Sequence, residues 1–99
     1  MQYRSLDHFL NEGKDALVKG PVALVLVEDD VEVDTTLRHH QQSGFAQVIA
    51  FMPQSFDLPR DVAETVIRID YEMHHDGAME TAINRIIDAA PNLWIYYCY

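Results

Sequence analysis

Apolar positions recur along this chain in two periods, and each stretch predicts an element. In residues 5–18, Leu6, Phe9, Leu10, Leu17 and Val18 fall at roughly helical spacing. Ser5 is placed to cap that helix, Gly13 weakens its middle, and Gly20-Pro21 ends it. Val22 to Val27 is an unbroken apolar run, the pattern of a strand buried on both faces, and Glu28-Asp29-Asp30 follows it. A helix over about Val33–Ser43 comes next, capped by Asp30 or Asp34 and stopped by Gly44, with a thin apolar face of Val33 and Leu37. Phe45 to Met52 reads as a second strand. Pro53 and Pro59 leave the segment after it little room for a regular helix.

Val66 to Tyr71 alternates, which predicts a third strand in a less buried or edge position. His74 to Gly77 reads as a loop. Residues 78–90 form the clearest helix, with Met79, Ala82, Ile83, Ile86, Ile87 and Ala90 on one face, and Pro91-Asn92 breaks it. Leu93 to Tyr99 is a fourth strand, apolar enough to look buried. Strands alternating with helices predict an α/β fold with a mainly parallel sheet and βα crossovers. Residues 1–20 then form an N-terminal helical extension and 21–99 the α/β unit. A buried last strand normally leads into another crossover, so the expectation is that these residues are the N-terminal part of a longer protein.

Composition narrows the function classes. The chain has 99 residues, 48% hydrophobic and 23% charged, which suits one globular domain and not a disordered one. Its single cysteine, Cys98, excludes an internal disulfide framework and a multi-cysteine zinc site. A net charge of −9 argues against nonspecific nucleic-acid binding and against an anionic membrane surface. No apolar run reaches membrane-span length and no signal-peptide core follows Met1, so a reducing cytoplasm is the expected location.

Parallel α/β sheets bind ligands at the carboxyl ends of their strands. Four segments fall there: Glu28-Asp29-Asp30, the residues after Met52, Tyr71 to Gly77, and Tyr99. The acidic triplet is the best candidate, because carboxylates hold divalent cations or accept hydrogen bonds from a base or sugar. The plainer alternative is a solvated, helix-capping turn. His39 and His40 point about 100° apart on a helix and do not converge on one ion. His74, His75 and Asp76 lack a second ligand cluster, so no metal site is assigned. Cys98 reads as a core residue rather than a nucleophile. No phosphate loop and no Gly-x-Ser-x-Gly elbow occurs.

From residue 21 onward the chain resembles family-2-type glycosyltransferases, the nucleotide-sugar-binding α/β kind. "VALVLVEDDVEVDTTLRHHQQSGFAQVIAF" is similar to that family's opening, with its buried strand, its acidic turn, and a helix ending in His-His-x-x-x-Gly. "AMETAINRIIDAAPNLWIYYCY" is similar to the helix and Trp-led strand that deliver the family's Asp-x-Asp metal motif. The resemblance implies a domain that binds a nucleotide-sugar donor, with Glu28, Asp29 and Asp30 as the nucleotide-binding residues. It implies an unidentified acceptor and, in an active enzyme, Mn²⁺ or Mg²⁺. Met52 and Tyr99 stand where that family carries aspartates, so the implied domain is one with degenerate catalysis, and no catalytic residue is assigned.

Two other classes remain. "LVLVEDD" with Asp70 resembles response-regulator receiver domains, which implies Asp29 and Asp30 as metal ligands and Asp70 as phosphoryl acceptor. A noncatalytic α/β interaction module using its acidic rim is the third.

Overall fold

The computed structural model describes residues 1–29 and 33–98. The elements are β1 (Gln2–Tyr3), α1 (Leu6–Glu12), a 3-10 turn (Lys14–Leu17), β2 (Val22–Leu26) and α2 (Val33–Gln42). After them come β3 (Gln47–Met52), α3 (Arg60–Ala63), β4 (Ile67–Asp70), α4 (Ala78–Ala89) and β5 (Ile95–Cys98). The five strands form one sheet in the order β1-β4-β3-β2-β5, and every pairing is parallel. The α/β class and the parallel sheet predicted from alternation are thus observed.

Parallel strands need crossovers, and the crossovers cover both faces of the sheet. Val22, Leu24 and Leu26 of β2 join a core with Leu6 and Phe9 of α1 and Ala82, Ile83 and Ile86 of α4. Ala23, Val25 and Val27 point the other way, into a second core with Leu37 of α2 and Val62 of α3. This two-sided burial is why β2 reads as an unbroken apolar run instead of an alternating one. The result is three layers with β2 and β3 at the centre.

The first twenty residues belong to this unit. The sequence predicts one helix over 5–18, but α1 stops at Glu12 and a 3-10 turn follows Gly13. Ser5 caps α1 as expected, its Oγ accepting from the His8 N–H at 3.0 Å. Gly13 is required by close approach: a Cβ there would lie 2.6 Å from the Tyr3 ring. Tyr3, Leu6, Phe9 and Leu17 are all in the first core.

Two further expectations are corrected. The third predicted strand, observed as β4, is not at the edge, because β1 pairs with it and Arg68 donates its N–H to Met1 O at 2.8 Å. A two-residue strand has no periodicity to read. The segment between Pro53 and Pro59 holds no helix; a single helical turn, α3, starts only after Pro59, whose C=O accepts from the Val62 and Ala63 N–H groups. The fourth predicted strand, observed as β5, is the sheet edge beside β2, with Trp94 84% exposed and Tyr96 and Tyr97 each 51% exposed. Apolar composition there reflects aromatic side chains, which tolerate water at one end.

Candidate functional site

The carboxyl end of β2 is extended by Val27, whose N–H donates to Phe51 O at 2.8 Å. Val27 is buried, and Glu28 and Asp29 emerge exposed immediately after it. Asp30, the third predicted site residue, lies outside the described residues, as does its predicted role as a cap of α2. Tyr99 lies outside them too.

The sheet order gives this position its meaning. From β2 the chain lays β3 and then β4 on one side, and it returns to place β5 on the opposite side of β2. Strand order therefore reverses at β2. In open parallel sheets the crevice outside the carboxyl ends at such a reversal is where ligands bind. Glu28 and Asp29 stand at its mouth, where ionised carboxylates offer acceptors and no donors.

Asp70 is held elsewhere. It ends β4, and β3 lies between β4 and β2, so two strand spacings, about 9–10 Å, separate the two strands. Its carboxylate accepts from Arg68 Nε at 3.2 Å and from Gln2 Nε2 at 3.0 and 3.1 Å. Arg68 Nη2 also donates to Pro53 O at 2.9 Å and Gln54 O at 3.0 Å. Both charged side chains are only 11% exposed. The cluster ties the ends of β1, β3 and β4 together. Arg68 is the residue that sequence reading passed over; the available signal was an arginine between two isoleucines with an acid two positions on. Because the Asp70 carboxylate is occupied this way, acetyl phosphate with Mg²⁺ is expected to leave the chain's mass unchanged. An Asp70-dependent phosphoryl adduct seen by mass spectrometry would contradict this.

The histidines do not converge. His39 is exposed, and His40 is buried beneath α2. His40 Nδ1 lies 2.8 Å from Thr36 O, a carbonyl that only accepts, so Nδ1 carries the hydrogen. In the neutral ring Nε2 is then the acceptor for the Cys98 thiol, at 3.5 Å. Burial pushes the Cys98 pKa up, which keeps the thiol protonated and suited to donate. Phe45 and Tyr96 flank the imidazole at 5.9 Å each. These contacts make Cys98 and His40 packing partners of α2 and β5.

His74 and His75 are exposed, with His74 3.9 Å from Glu72 and His75 against the Tyr71 ring. Among the described residues no three His, Cys, Asp or Glu side chains are grouped to hold a metal ion. A cation implied by the glycosyltransferase resemblance therefore finds no ready cage in them. A cavity of about 640 Å³ lies at the other side of the sheet, bounded by Met1, Gln2, Arg60 and Arg68. Asp57 and Leu58, from the candidate segment after Met52, also line it, and it lies at the β1–β4 side of the sheet, remote from the end of β2. Among the described residues, no helix is long and apolar enough to cross a membrane.

With the geometry in place, comparison adds no relative. No family model matches the chain, and neither the curated proteins nor the solved structures give a match.

Proposed function

We propose that this chain is a glycosyltransferase-like domain that binds a nucleotide-sugar donor at the carboxyl end of β2. The observation that carries the reading is the sheet order: the acid-bearing strand is central and parallel, and strand order reverses beside it. An acidic turn at that place is positioned for a base and ribose. Glu28 and Asp29, with Asp30 after them, accept hydrogen bonds from base N–H or ribose hydroxyl groups. Each charge-assisted bond contributes about 1.5–3 kcal/mol.

The same carboxylates repel the donor's diphosphate, so a divalent cation would supply the bridging charge in an active enzyme. The described residues bind and orient the nucleoside end and leave the phosphate end weakly held. Met52 ends β3 with a buried thioether and adds no ribose acceptor. Affinity is therefore expected to be weak, and this domain by itself is expected to show no sugar transfer.

Calorimetric titration with uridine and guanosine diphosphate sugars and Mn²⁺ tests the reading. Saturable binding is expected, and Asp29→Ala should weaken it about tenfold, the equivalent of one charge-assisted hydrogen bond. Absence of binding at millimolar nucleotide would favour the noncatalytic interaction module. Binding that Asp29→Ala leaves unchanged would move the site away from β2.

A further inference from the structure

The edge of the sheet at β5 is open among the described residues, since β5 pairs only with β2. We infer that this edge pairs with β5 of a second copy of the chain, antiparallel and about a two-fold axis through Tyr96.

The backbone sets the register. Val22 N–H donates to Trp94 O at 2.9 Å, and Val22 is in register with Ile95. Peptide groups alternate in direction along a strand, so Trp94 and Tyr96 aim theirs at β2 while Ile95 and Tyr97 aim theirs outward. The two outward residues are two positions apart. A two-fold axis through Tyr96 therefore sets Ile95 of one copy opposite Tyr97 of the other, and both N–H and C=O groups of each are satisfied at once. The contact is isologous and closes on itself.

Charge selects the occupant and the direction. From Ala89 to Cys98 there is no charged residue, in a chain of net charge −9. Two copies repel each other over most of their surface but not along this strip. An antiparallel pair also puts the acidic carboxyl ends of the two sheets, with Glu28 and Asp29, at opposite ends of the assembly. A parallel pair would set them side by side.

The strip lacks the devices that keep edge strands apart, having no lysine, no proline and no inward charge between Leu93 and Cys98. At the opposite edge β1 is only two residues long. The exposed parts of Trp94, Tyr96 and Tyr97 amount to roughly 400 Å² per copy, from the usual area of aromatic side chains. Both copies together with the strand backbone reach about 1,000 Å², the lower bound of specific interfaces, so the dimer is a reversible one.

Sedimentation of the 99-residue chain is the test. At roughly 100 µM, within reach of a small interface, the mass should be twice the 11.4 kDa of one chain. Tyr97→Lys, a change at a half-exposed side chain, should return it to a single-chain mass with an unchanged far-ultraviolet spectrum. A second variant reads the register: Tyr96→Cys in a Cys98→Ser background should cross-link to itself under mild oxidation. The Tyr96 positions face each other as a non-hydrogen-bonded pair about 4.5 Å apart, within disulfide reach. A single-chain mass for the unaltered protein overturns the proposal. So does a mass that keeps rising past two chains, a dimer that survives Tyr97→Lys, or a Tyr96→Cys variant that does not cross-link.

Discussion

Arg68→Ala is expected to cost about 3–5 kcal/mol of folding stability, the penalty for stranding one partner of a buried ion pair. Among the described residues the substitution leaves the Asp70 carboxylate with only the Gln2 amide, and it removes the donor to Pro53 O and Gln54 O. Water reaches the 11% of each side chain that is exposed, which places the effect toward the lower end. Arg68→Lys should recover little, because a lysine has no planar fork to reach a carboxylate and two carbonyls together. Denaturant unfolding of the two variants checks this. A loss well under 1 kcal/mol for Arg68→Ala would mean the cluster is solvated and does not fasten β1, β3 and β4.

Phe51→Ala is expected to be at least as damaging, at about 3–5 kcal/mol. Phe51 is completely buried near the carboxyl end of β3, and its ring meets the Tyr71 ring edge-on at 5.5 Å. Tyr71 in turn donates its hydroxyl to Ala78 O at 2.7 Å, at the start of α4. The cavity would therefore loosen the seat of α4 as well as the sheet. Against a total stability of about 5–15 kcal/mol for a domain of this kind, the variant should unfold at greatly reduced denaturant concentration. Phe51→Leu, which keeps most of the volume, should lose markedly less. Equal losses for the two would show that the site collapses around the missing ring.

What the sequence revealed and what it hid follow one rule. Elements whose burial is set by their own pattern were readable: the run Val22–Val27 announces a strand covered on both sides, and residues 78–90 announce an amphipathic helix. Features set by partners distant in the chain were not. Gln2 and Tyr3 form a strand only because β4 offers them an edge 66 residues away. Arg68 is buried only because Asp70 and the Pro53–Gln54 carbonyls surround its guanidinium. The edge position of β5 was misread because Ile95, Tyr96 and Tyr97 are as apolar as a covered strand would be.

The candidate site divides the same way. That Glu28 and Asp29 end a strand follows from local pattern and the parallel alternation. That strand order reverses beside them, and that β3 separates them from Asp70, depends on strand order, which local pattern leaves open.

The proposed site puts ligand recognition at the end of β2. Amide chemical-shift mapping of the ¹⁵N-labelled chain during titration with uridine diphosphate and diamagnetic Mg²⁺ tests it. Saturable shifts are expected, concentrated at Val27, Glu28 and Asp29 and at Gln54 beyond the neighbouring end of β3. Shifts gathered instead around Gln2, Arg60 and Arg68, or an unchanged spectrum at millimolar nucleotide, would contradict it.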